Sequence, residues 1–465
     1  LAQQTTHQEV FVSDAVQPNF LAAVIGAGPA GLYAARKLAE NGVRVAIFNR
    51  DIKPGGLAEY GIYPDKYKMK DGLRKQFRQI LAHPLIDYYG NVTVCSGGTL
   101  NIGDLMASCF QAIVVATGAQ GTKWLGLEGE YLRGVYHAKD IVYHYNRLPP
   151  FAERPYPIGR RVALIGAGNV MMDVAHWLIH EVKVDEVVTV VRRGPADVKF
   201  TKDEAKNVAR NFDLAALEAE LTRVAGVVEA AGQDVTAARQ LFIAPLAKAL
   251  QPVSETRFRF EFLASPKRIL GERGRTVALE VEDNTLVRAG EQTRAKGLGT
   301  TRRLDVETVI FCIGDTVDCD FCLPTQHDEY AKVAEPRFPV NGISYEAYDP
   351  INRQPFGNIF LAGWARQASD GLVGVARKDG ESAAEAVLHF LHTLPPMPNP
   401  EADLRQFILK LAQSNPQVVC KSQLPLLDMA EQTEAQRLGL PEFKFATNDE
   451  MLRVVSSTPI QSQEA

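Results

Sequence analysis

Two short glycine-rich turns, each set between an apolar strand and a helix, constrain this chain more than any other feature. In the first, residues 21–25 (LAAVI) read as a strand, Gly26-Ala27-Gly28-Pro29-Ala30-Gly31 follows, residues 32–40 read as a helix, and residues 43–48 (VRVAIF) form a second strand. The second copy opens at residues 161–165 (RVALI), continues through Gly166-Ala167-Gly168-Asn169-Val170 into a helix, and reaches the strand 186–191 (EVVTVV). Gly166 stands 140 positions after Gly26. In such a turn the first glycine (Gly26, Gly166) permits the bend and the second (Gly28, Gly168) lets backbone approach a pyrophosphate. The helix N-terminus then offers free amides to the phosphates. Gly31 lets the first helix lie close to its sheet. Two such units in one chain predict an α/β protein with two dinucleotide-binding domains, or a repeat with one silent copy.

The two sites differ at the end of their second strands, where a ribose is usually held by an acid. The first carries Asn49-Arg50-Asp51, so that Asn49 offers hydrogen bonds without charge. The second carries Arg192-Arg193-Gly194-Pro195. Arginine is the preferred bidentate partner of phosphate, so this pair fits a ribose 2′-phosphate and favours NADPH over NADH. Between the sites lies Lys53-Pro54-Gly55-Gly56-Leu57-Ala58-Glu59-Tyr60-Gly61-Ile62-Tyr63-Pro64, a shaped loop able to wrap a flat ring. Residues 112–116 (AIVVA), followed by Thr117-Gly118-Ala119, suit the closing strand of the first domain. Late in the chain a strand at 359–362 runs into Gly363-Trp364, a polar loop to Gly371, and a helix from Leu372. Amides at Leu372 and Val373 can meet the oxygen-rich edge of a flavin.

Composition excludes several classes. The chain has 465 residues, 46% hydrophobic and 23% charged, with a formal net charge of -4. Nucleic acid is therefore not the expected partner, and no apolar run approaches the ~20 residues needed to span a bilayer. Six cysteines in this length do not make a disulfide scaffold. Residues 1–20 lack a basic region followed by an apolar stretch, so no secretory signal is expected and a cytoplasmic, reducing setting is. Cys319-Asp320-Phe321-Cys322 has redox spacing, with Cys312 upstream, but no helix start lowers a thiol pKa there. Buried or incidental thiols are expected, and no metal site. His83 precedes Pro84 and reads as a helix-end residue; His137 and His144 read as packing. Residues 213–250 read as helical, and the charged stretch from Thr285 to Leu304 as an exposed loop or hairpin.

These motifs together resemble the adrenodoxin reductase type of ferredoxin–NADP reductase, a group of glutathione-reductase-like flavoproteins, over roughly residues 20–395 plus a stretch of the tail. Gly26 to Gly31 resemble its FAD fingerprint. Gly55-Gly56-Leu57, Tyr60-Gly61 and Pro64-Asp65 with Lys68 and Lys70 resemble its flavin-wrapping loop. Gly166 to Val170 with Asp173, and Arg192-Arg193-Gly194-Pro195, resemble its NADP site. Phe200-Thr201 and Glu204 resemble the segment that places a glutamate near the nicotinamide. Phe262-Leu263-Ala264-Ser265-Pro266 with Gly271, Gly363-Trp364 with Gly371-Leu372-Val373, and Glu450-Met451-Leu452 resemble further family stretches. The departures are Lys66 where the family has His, His176 where it has Arg, Asp370 where it has Thr, Asn49 for the acid, and Asp315 after Ile313-Gly314.

The resemblance implies FAD and NADP(H) as cofactors and hydride transfer to flavin N5, with electrons passing to a ferredoxin-like iron–sulfur protein. Glu204 is then expected to orient the nicotinamide or mediate a proton. Lys66 is expected to stabilise reduced flavin or contact the acceptor. Lys66, Lys68, Lys70, Arg74, Lys75 and Arg78 are candidates for a basic surface facing an acidic partner. Alternatives are an NADPH-dependent flavoprotein serving another acceptor, in the manner of the glutamate synthase small subunit or a disulfide reductase, and a non-catalytic NADPH/FAD-binding protein. The small-subunit reading is weakened because no cysteine precedes Cys95. The expected division is a lead at 1–19, an FAD-binding domain at 20–125 and 320–395, an inserted NADP-binding domain at 126–319, and a C-terminal extension at 396–465.

Overall fold

The computed structural model describes residues 18–456 except 96, 291 and 370. Most of the lead, the departure at Asp370 and residues 457–465 therefore lie outside the described residues. The chain separates into two compact units. One comprises the described part of Leu1–Gly56 with Leu73–Gly118 and Cys319–Leu424; the other comprises Leu57–Gly72, Ala119–Asp318 and the described part of Pro425–Ala465.

The first unit is built on a seven-stranded sheet, in the order Glu346–Asp349, Gln354–Leu361, Ala112–Val115, Phe20–Ile25, Val43–Asn49, Ile86–Gly90 and Val419–Cys420. Its five central strands are parallel and its two edges antiparallel. The central strands are short runs of Val, Ile, Ala and Phe and are buried almost throughout, as a parallel sheet covered on both faces requires. Pro29 opens the helix Pro29–Ala39, where its missing N–H costs nothing. That helix presents Ala30 to the long helix Val373–Leu391: a Cβ on Gly380 would stand 2.2 Å from the Ala30 carbonyl oxygen, so only glycine permits the approach.

The second unit repeats the theme. Its five parallel strands run Val135–His137, Thr308–Phe311, Arg161–Ile165, Glu186–Val191 and Arg257–Phe262. Leu263, at φ 52°, breaks the last of these from an antiparallel sheet of Ala264–Glu272, Arg275–Ala289 and Gln292–Leu304. The charged stretch from Thr285 to Leu304 is thus a hairpin, not a loop. The helical reading of 213–250 holds as Leu214–Ala230 and Val235–Ile243. In both sheets the strand order reverses beside the first strand, so a switch point lies between Phe20–Ile25 and Ala112–Val115, and another between Arg161–Ile165 and Thr308–Phe311. Among the described residues no helix is long and apolar enough to cross a membrane.

One expectation is overturned here. Cys322 does not stand as an incidental thiol; it is bonded to Cys95 across 227 positions of sequence, within the first unit. Cys319 is left exposed and free. The bond joins the turn before Leu100 to the segment that re-enters the first unit, a pairing that the Cys319/Cys322 spacing disguises. Closing so long a loop restricts the unfolded chain, and its reduction should cost about 2–4 kcal/mol of stability. Peptide mapping without reductant should recover Cys95 linked to Cys322 with Cys319 alkylated, and the melting temperature should fall when a reductant is added. An unchanged melting temperature on full reduction would show that the bond carries no stability.

Candidate functional site

Each glycine turn lies at the switch point of its sheet, and the geometry is repeated in detail. A Cβ on Gly26 (φ 104°) would stand 2.5 Å from the carbonyl oxygen of Ala116; a Cβ on Gly166 (φ 129°) would stand 2.3 Å from that of Cys312. In each unit the first glycine lies against the end of the strand across the switch. The second glycine does the opposite. Gly28 and Gly168 are the N-caps of their helices, neither is capped by a side chain, and nothing lies within 4 Å of where a Cβ would be. Both helices thus open onto space just wide of a backbone without side chain, which fits a phosphate held by amides and helix dipole. Gly31 is tight, its Cβ position 2.0 Å from the Gly26 oxygen, whereas the second turn carries buried Met171 at the equivalent place.

The loop after the first turn closes over it. Gly55 donates to the Ala27 carbonyl at 2.8 Å, and Gly56, at φ 51°, places its Cβ position 3.0 Å from the Gly28 Cα. Asn49 braces this arrangement from below. Its Oδ1 accepts from the Ala27 amide at 2.9 Å, and its Nδ2 donates to the carbonyls of Asp51 (2.8 Å) and Lys53 (3.2 Å) and to the Tyr88 hydroxyl (3.2 Å). The amide expected to face a ribose is turned onto the protein's own backbone. Gly118, at φ 71°, turns the chain out of the strand Ala112–Val115.

The late motif lies in the same unit. Gly363, at φ 65°, has its Cβ position 2.6 Å from the Ala30 Cβ, and its amide donates to Asp379 at 2.6 Å. Trp364 follows it, partly buried, in the 3-10 turn Gly363–Ala365. Gly371, at φ 70°, leads to Leu372, the N-cap of the helix Val373–Leu391, which has no side-chain cap and an exposed Leu372. Leu372 and Val373 therefore stand at a third open helix N-terminus.

In the second unit the arginine pair ends the strand Glu186–Val191 on a pinned backbone. The Arg192 carbonyl accepts from Asn284 at 2.9 Å and the Arg193 carbonyl from the Leu263 amide at 3.0 Å. Arg192 is exposed. Arg193 is half-buried and pairs with Asp197 at 3.3 Å. Arg192 thus carries the more exposed guanidinium, and Arg193 is paired with Asp197.

A ring of contacts then links the second turn to the expected site residues, all within this unit. The Oδ1 of Asn169 accepts from the Thr201 amide at 2.8 Å, and Val170 beside it is exposed. Thr201 caps the short helix Lys202–Ala205 and accepts from the Glu204 amide at 3.3 Å. Glu204 accepts from the Lys66 ammonium at 2.5 Å, and Lys66 also reaches Asp173 at 3.4 Å. Asp173 is one helical turn beyond Asn169, on the same face. Lys66 and Glu204, 138 positions apart, are therefore partners. Asp173, named in the sequence only as part of a fingerprint, is the third member, and no spacing in the sequence would have joined the three.

The surroundings decide their charges. Burial pushes the Asp173 carboxyl up to about 7, with Glu204 and Asp65 adding to the effect and Lys66 opposing it. Burial opposes the charge of Lys66, but the Asp173 and Glu204 carboxylates outweigh it and hold the ammonium above its ordinary value. His176, the departure from arginine, stacks on Tyr63 at 4.3 Å and is driven down to about 3 by burial, with His180 and Lys66 adding to the effect. It is a neutral packing residue.

Several expectations change. Lys70 is not part of a basic surface: its side chain is fully buried and bonded to Asn146. Lys66 is half-buried and pairs with two carboxylates, whereas Lys68, Lys75 and Arg78 have exposed side chains. Tyr60 is packed against Tyr143 and Leu148, with Leu57 beside them, so its ring serves the protein core. Burial pushes the Cys312 thiol up, in keeping with the expected buried thiol. Glu450 accepts from the amides of Ala446 and Thr447, both at 3.0 Å, and so shapes the tail.

Comparison with known proteins agrees with this geometry. The family model described as pyridine nucleotide-disulphide oxidoreductase matches residues 21–242. The chain is 27% identical to the NADPH-ferredoxin reductase FprA of Mycobacterium leprae, over 93% of this chain and 97% of that one. It is 27% identical to the mitochondrial NADPH:adrenodoxin oxidoreductase of Salvelinus fontinalis, over 78% and 76%. The structure of Mycobacterium tuberculosis FprA in complex with NADPH superposes with a TM-score of 0.78 at 25% identity, covering 95% of this chain and all of the other. End-to-end likeness and two repeated glycine turns place this chain, with its two Rossmann-like dinucleotide-binding units, among the relatives of the adrenodoxin-reductase-type ferredoxin–NADP reductases.

Proposed function

We propose that the chain is an FAD-dependent oxidoreductase that moves electrons between NADPH and a ferredoxin-like iron–sulfur protein. The observation that carries the reading is the pair of open helix N-termini at Gly28 and Gly168, each at the switch point of its own sheet. One dinucleotide per unit follows. Gly26, Gly28, Pro29, Ala30, Gly31, Gly56, Gly118, Gly363, Trp364, Gly371, Leu372 and Val373 would hold FAD in the first unit, with Asn49 shaping the turn. Gly166, Gly168, Asn169, Val170, Arg192 and Arg193 would hold NADP(H). FAD, when bound, supplies the exchange between two-electron and one-electron steps.

The chain's own residues bind and orient. Arg192 neutralises a 2′-phosphate. Glu204 is held at one edge of the nucleotide turn by Thr201 and Asn169, where it can accept a hydrogen bond from a carboxamide. Lys66 supplies a positive charge paired with Glu204, and burial pushes the Asp173 carboxyl up to about 7. Lys68, Lys75 and Arg78 offer an acidic partner an exposed cationic stretch. The disulfide-reductase alternative loses its pair, since Cys322 is bonded to Cys95 and not to Cys319. A cytoplasmic setting is part of the proposal; there the state of that bond follows the thiol pool.

An anaerobic absorbance titration tests the reading. NADPH should bleach a bound-flavin spectrum at far lower concentration than NADH. In Arg192→Gln the NADPH requirement should rise roughly tenfold to hundredfold with NADH little affected, and in Glu204→Ala the bleaching should slow by about tenfold or more. A folded protein without flavin, or a flavin that neither nucleotide reduces, would overturn it.

Asp173 gives a pH test. From its ordinary value of 3.8 up to about 7 the folded carboxyl keeps a proton that the unfolded chain has lost. Its contribution to stability therefore falls as pH rises through that window. Asp173→Asn removes the slope, so the melting temperature of the wild type relative to the variant should drop between about pH 4 and 7. Parallel curves would mean that Asp173 titrates as an ordinary carboxyl.

A further inference from the structure

The second unit buries three charges, Glu59, Lys70 and Lys444, and half-buries a fourth, Glu442, that the reading above does not use. Lys444, 4% exposed, donates to the Glu59 carbonyl at 2.7 Å, pairs with its carboxylate at 3.0 Å, and stands 4.9 Å over the Tyr60 ring. Lys70, with no exposed side-chain surface, pairs with Glu442 at 3.4 Å and donates to Asn146 at 2.9 Å. Glu442 also reaches Lys444, at 4.0 Å. Arg147 donates to the Lys444 carbonyl at 2.8 Å and lies 5.8 Å over Phe443. Two lysines and two glutamates thus form a cluster in which each cross-segment pair joins the tail to the segment Leu57–Gly72, which runs from the short helix Leu57–Tyr60 into the helix Tyr67–Leu81.

Buried ion pairs are a poor way to gain stability, because desolvation offsets most of the attraction; their best-attested use is to fix register. Apolar side chains would hold the tail here more cheaply. A charge cluster instead favours one alignment, since a shift of either segment separates the Lys444–Glu59 and Lys70–Glu442 pairs. The segment it aligns is telling. Glu59 stands before Lys66 in sequence and Lys70 stands one helical turn after it, so the tail grips the loop on both sides of the lysine that meets Glu204.

We propose that Glu442 and Lys444 are positioning residues. Through Lys70 and Glu59 the C-terminal segment sets the register of the loop and thereby holds Lys66 on Glu204. The consequence for turnover rests on the reductase reading; the consequence for the loop does not.

The test uses full-length flavin-loaded protein and hydrogen-exchange mass spectrometry with the variants Lys444→Met and Glu442→Gln. Amides of residues 57–72 should exchange about tenfold faster, while peptides covering Asn169–Trp177 and the sheet of the first unit do not change. Flavin reduction at saturating NADPH should slow by about tenfold with the NADPH requirement unaltered. Adding Glu59→Gln to Lys444→Met removes the stranded charge and should restore the melting temperature but neither the loop's protection nor the rate. Recovery of all three, unchanged exchange in 57–72, or a uniform rise over the whole chain would overturn the proposal. If Lys444→Met does not fold, Glu442→Gln, which keeps the side-chain shape, decides by the same criteria. If the wild type is not reduced by NADPH at all, the reductase reading fails, and the exchange measurement alone decides on the register.

Discussion

Gly26 and Gly166 have no room for a methyl group, because the carbonyl at the end of the strand across the switch point stands within 2.5 Å of where it would sit. Everything at the two nucleotide turns follows from that approach. It brings the strand end and the helix start together, so the second glycine caps a helix whose first amides point away from the sheet. A larger residue at the first position would push the turn off the neighbouring strand and tilt the helix with it. The same constraint recurs where the two long helices of the first unit cross at Gly380 and Ala30. Close backbone contact, in place of side-chain packing, sets the geometry of the glycine turns.

Asn49 shows why a departure at such a site need not weaken it. A carboxylate only accepts hydrogen bonds, whereas a side-chain amide accepts and donates. Here the accepting oxygen holds the amide of the glycine turn and the donating nitrogen holds two carbonyls of the following loop and a tyrosine hydroxyl. An aspartate at this place could keep the first contact and would face the carbonyls with like polarity. The substitution of acid by amide therefore belongs with the loop that passes over the turn at Gly55 and Gly56.

The parts legible in the sequence are those that depend on local pattern. Strand, glycine turn and helix follow one another within a few residues, so both nucleotide turns, the arginine pair and the late motif at Gly363 and Gly371 could be read directly. The triad of Lys66, Asp173 and Glu204 could be read only in part, because its members come from three distant stretches and meet through Thr201 and Asn169. The cysteines misled for the same reason. Cys319 and Cys322 are neighbours in sequence, yet the partner of Cys322 is Cys95, brought near by the return of the chain to the first unit. Lysines in the loop looked like surface charge because pattern cannot tell that Glu442, far along the chain, meets Lys70.

The exchange of histidine for lysine at position 66 has a physical logic that its neighbour His176 supplies. Two positions of the same cluster are filled by basic side chains, and burial acts against both. His176, starting near neutrality, is driven down to about 3 and carries no charge at any ordinary pH. Lys66 starts higher, and the carboxylates of Asp173 and Glu204 more than offset its burial. A histidine at 66 would sit between those outcomes and change its charge with pH and with whatever bound nearby. Lysine removes that freedom. The cluster then has one permanent cation facing Asp65, Asp173 and Glu204, and burial raises the carboxyls of Asp65 and Asp173 against it. Asp173, pushed up to about 7 by burial, is then the group of this cluster whose charge changes near neutral pH.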